Sequence, residues 1–269
     1  MTSLALTIAG SDPSGGAGLQ ADLKTFHQHR VYGMSVVTLL TVQNTTSVRR
    51  VETMPVELVA EQLDAVLTDL PPDAAKTGAL GDVPIIELLA ERSSGFSFPL
   101  VVDPVMISKH GHPLISPDAI QVLKERLLPH CFLVTPNLPE VEALCGIEVG
   151  DVLGMRDAAK RMSELGPQHV LIKGGHLTWK ARGAKSREEG QTVDVLWSDG
   201  ELIELKGTRY ETPHTHGTGC VYSAAITARL ARGEDMITAV HGAKGFIDEA
   251  IRTNPGLGSG QGPCNLFVE

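Results

Sequence analysis

The feature that most constrains the fold is a regular alternation of short apolar runs with longer amphipathic segments. Runs such as LALTIA at 4–9, PLVVDPVM at 99–106 and HVLIKGG at 169–175 are apolar on successive residues. Segments with helical periodicity lie between such runs, for example at 18–30 and 55–70. Continuous Val, Ile and Leu runs that alternate with helices are typical of a parallel sheet covered on both faces. We therefore predict an α/β fold with a largely parallel sheet.

The pattern changes only near 177–206. The stretch at 180–191 is charged and lacks apolar periodicity, which predicts an exposed loop, and VDVLWSDGELIELKG then predicts a hairpin that turns at Asp199-Gly200. Two helices are expected at about 218–232 and 236–252, followed by a glycine-rich tail. We find no internal repeat and no linker, so we predict one domain that comprises residues 1–269.

Charge and composition exclude several classes of protein. The formal net charge is −9, from 23 basic and 32 acidic residues without basic runs. This argues against nucleic-acid binding, because neutralised phosphates supply most of that affinity. No segment approaches the roughly 18 apolar residues of a membrane span, and the first residues read as a strand rather than a signal peptide. The four scattered cysteines include no Cys-x-x-Cys pair, which argues against zinc and disulfides and predicts a cytoplasmic protein.

Polar residues concentrate where the predicted strands end. The six stretches are GSDPSGGAG, Gln43-Asn44, KTGAL, DPVM, TPNLPE and KGGH. Each one alone is also typical of an ordinary strand-to-helix turn. Because ligands of open α/β sheets bind outside the carboxyl ends of the strands, six such ends in one chain indicate a binding site.

The residue types at these ends favour phosphoryl transfer. Asp103 and Glu140 supply the hard oxygen ligands that suit Mg²⁺, and Lys173 supplies a point charge for a phosphate. The segment Gly217-Thr218-Gly219 precedes a predicted helix, whose first N–H groups form an anion site. Magnesium ligands, a lysine and an anion site together provide the positioning and charge neutralisation that phosphoryl transfer requires.

These blocks, together with HGTGC at 216–220, resemble the hydroxymethylpyrimidine/phosphomethylpyrimidine kinases of the ribokinase-like superfamily. The order and spacing match over nearly the whole chain. The resemblance implies a three-layer α/β/α sandwich and a single kinase domain. It also implies that ATP phosphorylates 4-amino-5-hydroxymethyl-2-methylpyrimidine and then its monophosphate, for thiamine phosphate synthesis. Relatives suggest a homodimer.

The resemblance also assigns roles to individual residues. Asp22 and Gln43 would hydrogen-bond the pyrimidine, with Gly10 and Val105 lining the pocket. Lys173 would bind nucleotide phosphate, with Asp103 and Glu140 on the magnesium side. Asn137 belongs to the superfamily's Asn-x-x-Glu motif, and Lys244 corresponds to a position near the adenine.

One departure from the family pattern bears on the substrate. Ala79 stands in KTGAL where the family often has methionine. A smaller side chain leaves more room beside the substrate ring. Phosphorylation of pyridoxal or pyridoxine, as in the related pyridoxal kinases, is therefore the alternative function.

Cys220 stands where sugar-kinase relatives place an aspartate base. A helix N-terminus can lower a cysteine pKa from about 8.5 to roughly 3.5–7.5. We therefore expect Cys220 to accept or orient the hydroxymethyl proton, while the amides of Gly217–Gly219 hold the phosphoryl charge. Three alternatives remain open: a small packing residue, a thiol hydrolase that pairs Cys220 with His214 or His216, and a binding protein without catalysis.

Overall fold

The computed structural model describes residues 2–108, 111–175, 177 and 190–268. Its strands are β1 (Leu4–Ser11), β2 (Tyr32–Gln43), β3 (Val48–Thr53), β4 (Ala74–Thr77), β5 (Leu100–Val102), β6 (Leu133–Val134), β7 (His169–Ile172), β8 (Gln191–Ser198) and β9 (Glu201–Thr208). Its α-helices are α1 (Gly18–Gln28), α2 (Val56–Asp69), α3 (Val83–Ser93), α4 (Pro117–Val122), α5 (Leu138–Cys145), α6 (Val152–Ser163), α7 (Thr218–Ala231) and α8 (Met236–Arg252).

The strands form one sheet in the order β3-β2-β1-β4-β5-β6-β7-β8-β9. The six inner strands, β2, β1, β4, β5, β6 and β7, pair in parallel. The strand β3 at one edge and the strands β8 and β9 at the other edge pair antiparallel. The prediction of a mainly parallel sheet is confirmed. Since all the parallel strands point the same way, their carboxyl ends lie along one edge of the sheet.

Helices cover both faces of this sheet, which makes three layers. Leu6 and Ile8 of β1 pack in a core with α2 to α6, while Ala5 of the same strand packs in a second core with α1, α7 and α8. Successive strand residues point to opposite faces, so a strand buried on both sides is apolar at every position. The three-layer α/β/α sandwich is confirmed.

Most elements lie close to their predicted positions. The hairpin turns at Asp199 and Gly200, both of which have the positive φ angles (51° and 85°) that this type of turn requires. The helix α4 is followed directly by a π-helical turn at Leu123–Leu127 and a 3₁₀ turn at Leu128–His130. The charged stretch predicted at 180–191 lies, up to residue 189, outside the described residues.

Two short elements were not predicted from the sequence, namely β3 and α5. The helix α5 has only eight residues, and it begins with a capping box in which the side chains of Asn137 and Glu140 bond each other's backbone N–H. It ends at Gly146, whose φ is 68°. Within the part of the chain that the structure describes, none of the helices combines the length and apolar character needed to cross a membrane.

Candidate active site

The carboxyl ends of the parallel strands and the start of α7 surround a cavity of about 790 Å³. Its wall includes residues that follow β1, β4, β5, β6 and β7, as well as Gly217–Cys220. The strand ends that the sequence singled out therefore meet in one place, as expected for an open α/β sheet.

Asp103 and Lys173 form an ion pair at the centre of this cavity, here called the cavity pair. Lys173 Nζ lies 2.8 Å from Asp103 Oδ1. Asp103 also accepts a hydrogen bond from Ser223 on α7 and is 2 % exposed, whereas the Lys173 side chain is 13 % exposed. Burial alone would lower the pKa of Lys173, but the carboxylates of Asp103 and Glu140 outweigh it and raise that pKa. The lysine is therefore a permanent cation at the cavity wall.

The start of α7 lies directly against this pair. A Cβ added at Gly219 would lie 3.3 Å from Lys173 Nζ and 3.9 Å from Asp103 Oδ2. Gly217, the N-cap, has a φ of 75°, and a Cβ there would lie 1.9 Å from the carbonyl oxygen of Gly16. Both glycines thus permit close approach, and the first turn of α7, where helices leave N–H groups without intrahelical partners, lines the same cavity as Lys173.

Glu140 is held in place by its own helix cap. Its Oε2 accepts a hydrogen bond of 2.8 Å from the backbone N–H of Asn137, and both residues line the cavity. Burial and the nearby Asp103 raise the pKa of Glu140 to about 7, although Lys173 opposes this rise. Two carboxyl groups thus interact with a single ammonium group, and a bound cation could balance the remaining negative charge.

Asp103 and Glu140 fit an open magnesium site, in which the protein supplies only part of the ligands. Over the described ranges, no group of three or more His, Cys, Asp and Glu side chains is arranged to hold a metal ion. Mg²⁺ usually binds to one or two carboxylates together with waters and substrate phosphates. Asp103 and Glu140 fit that kind of open site.

Cys220 lines the cavity in the third position of α7, but its chemistry differs from the prediction. Burial raises the pKa of its thiol to about 12, and the nearby carboxylates of Asp22 and Asp103 add to this effect against the lowering influence of Lys76. The expectation of a thiolate favoured by the helix N-terminus is wrong for this state, because burial, together with the carboxylates of Asp22 and Asp103, raises the pKa of the thiol.

His216 is bonded to Asp12. Its Nε2 lies 2.8 Å from Asp12 Oδ2. Asp12 also accepts hydrogen bonds from Ser14, Gly16 and Ala17 in the loop after β1. Burial alone would raise the pKa of Asp12, but the bonds from His216 and Ser14 outweigh it and lower this pKa to about 2. The pair fastens the loop after β1 to the start of α7.

Four of the residues at the other end of the cavity are Gly10, Gln43, Val105 and Ala79. A Cβ added at Gly10 would lie 2.4 Å from Leu39 Cδ1 and 3.6 Å from the Cβ of Ala79. This wall is therefore closely packed behind Gly10. The structure brings three of the four residues predicted to contact the substrate ring to the cavity.

Asp22 is the exception. Its carboxylate is fully buried, and it accepts a 2.6 Å bond from Thr7 and a 2.8 Å bond from Lys76. It is not among the residues of the cavity wall. Both carboxylate oxygens are already hydrogen-bonded beneath the cavity, so Asp22 is not positioned to bond the substrate ring directly. The carboxylate holds Lys76 instead.

Asp22 and Lys76 form a second ion pair, here called the floor pair. Both side chains are 0 % exposed. Burial alone would lower the pKa of Lys76, but the charge of Asp22 outweighs it and raises that pKa. Sequence reasoning missed Lys76, although it begins the KTGAL block, because a lysine inside an apolar strand gives no sign of its partner.

Lys244 lies at a third part of the cavity wall. Its Nζ is 2.9 Å from Asp194 and 3.4 Å from Asp248. Burial alone would lower the pKa of Lys244, but these two carboxylates outweigh it and raise it. The predicted position of Lys244 at the cavity agrees with the structure, and its assignment to adenine stays a prediction.

Comparison with known proteins gives consistent results. The model of the family described as phosphomethylpyrimidine kinase matches residues 12–265. The chain is 45% identical to a hydroxymethylpyrimidine/phosphomethylpyrimidine kinase of Haemophilus influenzae, over 98% of this chain and 96% of that protein. It is 42% identical to the Bacillus subtilis protein of the same name, over 98% and 94%. Among solved structures, an ADP complex of Bacillus subtilis pyridoxal kinase matches with a TM-score of 0.87 and 38% identity, over 98% of this chain and 97% of that one.

Proposed function

The chain belongs to the phosphomethylpyrimidine kinase family, and we propose from this that its cavity performs two successive phosphoryl transfers. ATP phosphorylates the hydroxymethyl group of 4-amino-5-hydroxymethyl-2-methylpyrimidine and then the monophosphate, which yields the diphosphate used for thiamine phosphate. The observation that carries this proposal is the closeness of Gly219 to Lys173. A Cβ added at Gly219 would lie only 3.3 Å from the ammonium nitrogen of Lys173. The start of α7 and a permanent cation thus lie side by side in the wall of one cavity.

The chain's own residues supply positioning and charge. Lys173 neutralises oxygens of the transferred group, and the first amides of α7 donate hydrogen bonds to them. Phosphoryl transfer has a loose transition state whose charge spreads over these oxygens, so such groups provide most of the catalysis. The Asp12–His216 bond keeps the first turn of α7 in register with the loop after β1.

We assign magnesium to Asp103 and Glu140. Bound there with nucleotide phosphates, the ion would neutralise their charge and orient them. The support is the pair of carboxylates that share a single lysine, together with the chemistry of hard oxygen ligands.

Cys220 enters this proposal as a thiol. With a pKa of about 12 it is neutral at physiological pH. Its S–H group can orient the acceptor oxygen without removing its proton beforehand. A kinase tolerates this, because a loose transition state needs little prior deprotonation of the acceptor.

The test is magnesium-dependent ATP consumption by the purified protein, with the hydroxymethylpyrimidine, its monophosphate and pyridoxal offered in parallel. Products are identified by mass. Turnover of both pyrimidines, lost when magnesium is chelated, is the expected result. ATP bound without turnover of any of the three would contradict the substrate assignment and leave the phosphate site standing.

Pyridoxal phosphorylation is the second candidate. Ala79 at the cavity wall leaves space where the family often has methionine, and the solved relative with a TM-score of 0.87 is a pyridoxal kinase. Turnover of pyridoxal at a rate similar to that of the pyrimidine would establish a broader acceptor range. A homodimer and a cytoplasmic location stay predictions from the sequence, to be tested by light scattering and by cell fractionation.

A further inference from the structure

The glycine-rich tail forms part of the cavity wall, and one of its side chains has no hydrogen-bond partner among the residues that the structure describes. Gln261 lines the cavity. Within the described ranges, its Oε1 is buried without a hydrogen bond, and none is formed by its Nε2 either. A buried amide oxygen left without a partner costs free energy, and buried polar groups are nearly always bonded. This carboxamide is therefore available to a ligand.

The backbone around Gln261 is fixed, in contrast to its side chain. The N–H of Gln261 donates a 2.8 Å bond to the carbonyl of Thr45, two residues beyond Gln43. The N–H of Gly262 donates to His214 Nδ1 at 3.2 Å, and the carbonyl of Gly262 accepts from the N–H of His216 at 3.0 Å. A Cβ added at Gly260 would lie 2.2 Å from the carbonyl oxygen of Thr45. The tail is thus packed closely against the loop after β2.

These contacts bring the backbone of Gln261 next to Thr45, two residues beyond Gln43, and both glutamines line the cavity. Gln43 lines the cavity, and its side chain likewise has no hydrogen bond among the described residues. Two uncommitted carboxamides therefore reach the cavity from neighbouring backbone segments. An apolar pocket with a few such polar groups fixes the orientation of a ligand through them.

We propose that Gln261 recognises the amino group and the adjacent ring nitrogen of the aminopyrimidine, and so selects this ring over pyridoxal. A carboxamide presents one acceptor and one donor side by side, the pattern that pairs with an exocyclic amino group next to a ring nitrogen. Pyridoxal has no amino group beside its ring nitrogen. Among the described residues no hydrogen bond holds this side chain in place, so its two polar atoms are uncommitted. This inference rests on the proposed function and adds a residue that determines its specificity.

The experiment replaces Gln261 by methionine, which has similar length and shape but cannot form these bonds. We expect KM for the hydroxymethylpyrimidine to rise about 10- to 100-fold. We expect kcat, KM for ATP and KM for pyridoxal to change less than about threefold. The melting temperature stays equal or rises, because the substitution removes an unpaired buried oxygen.

Gln62→Met is the matched control. The Gln62 carboxamide accepts a 3.0 Å bond from the N–H of Val37 and donates a 3.3 Å bond to its carbonyl, and it lies outside the cavity wall. This variant should lose thermal stability and keep its KM values. A structural role for Gln261 would give the same pattern as this control, whereas recognition gives the opposite one.

Calorimetric titration of the hydroxymethylpyrimidine into wild type and Gln261→Met completes the test without requiring turnover. Weaker binding by the variant, by about the same factor as KM, supports the proposal. If wild type binds and phosphorylates the pyrimidine and Gln261→Met does so equally well, the Gln261 inference is wrong and the proposed function stands. If wild type fails to bind the pyrimidine at all, both are overturned.

Discussion

The floor pair and the cavity pair consist of the same two residue types at the same distance. Lys76 Nζ lies 2.8 Å from Asp22, and Lys173 Nζ lies 2.8 Å from Asp103. They differ in exposure, since the side chains of the floor pair are 0 % exposed while that of Lys173 is 13 % exposed. In the floor pair the remaining carboxylate oxygen is bonded to Thr7, whereas the cavity pair faces the first turn of α7.

The difference shows that an ion pair's function depends on what its lysine can still reach. The side chains of the floor pair are fully buried, although Lys76 also borders the cavity, and loss of one partner would leave an uncompensated buried charge. A pair open on one side can exchange its internal partner for a ligand phosphate. We therefore assign the floor pair to the scaffold and the cavity pair to phosphate binding, and the four predictions below test that division.

The largest effect is expected for Lys173→Met. Loss of the cation at the cavity wall should lower kcat by about 10³- to 10⁵-fold, the range found when a single charge on the transferred group is removed. Asp103 keeps its hydrogen bond from Ser223, so the protein should remain folded by circular dichroism. Steady-state kinetics at saturating ATP measure the effect. A folded variant within tenfold of wild type would remove Lys173 from the mechanism.

Lys76→Met should act on stability instead. We expect the free energy of unfolding to fall by about 3–5 kcal/mol, because Asp22 is left charged and buried. Urea denaturation measures this change. The double variant Lys76→Met with Asp22→Asn removes both charges and should recover much of the loss. If that double variant is stable yet has lost more than about a hundredfold in kcat, the floor pair takes part in catalysis and the division is broken.

Gly219→Ala tests the contact between α7 and the cavity pair. The added methyl group would lie 3.3 Å from Lys173 Nζ, so the ammonium must shift by a few tenths of an ångström. We expect kcat/KM for ATP to fall about 10- to 100-fold, since catalysis is sensitive to such misplacement. Gly219 lies in the helix, so stability should not fall.

Gly245→Ala is the matched control for this variant. Gly245 lies in α8, and an added Cβ there meets nothing within 4 Å. It should gain about 0.5–1 kcal/mol of stability through helix propensity and keep its activity. Equal activity of the two variants would show that the space above the cavity pair is not used.

The last prediction concerns Cys220, whose pKa is about 12. At pH 7 only about one molecule in 10⁵ carries the thiolate, by the tenfold change per pH unit. The raised pKa means that the reactive form increases with pH, so alkylation of Cys220 by iodoacetamide should accelerate about tenfold per unit from pH 7 to 10. Peptide mapping by mass spectrometry follows this cysteine separately from the other three. A plateau below pH 9 would indicate an activated thiolate.

The sequence predicted the parts of the site that depend on local pattern. Continuous apolar runs located the strands, and the polar residues that follow them met at one cavity because parallel strands end at one edge of the sheet. The position of Lys173 and the glycines of α7 followed from the same argument.

The parts that depend on long-range packing could not be read in this way. The bond between Asp12 and His216 joins residues 204 positions apart. Asp22 was assigned to the ring by resemblance, and only the packing of β1 and β4 shows that both its oxygens are engaged. The pKa of Cys220 depends on burial and on the neighbouring carboxylates, neither of which a position at a helix start reveals.

The contacts of the glycine-rich tail also determine the order in which the cavity can be completed during synthesis. Strands β1 and β2 are made before residues 258–262, yet the wall beside Thr45 is complete only when those residues are present. A bond from Gln28 to the carbonyl of Val268 joins positions 240 residues apart. A chain emerging from the ribosome can begin its folding at β1 and β2, but it has no complete cavity wall beside Thr45 until residues 258–262 are translated. An incomplete polypeptide would therefore not sequester the vitamin precursor.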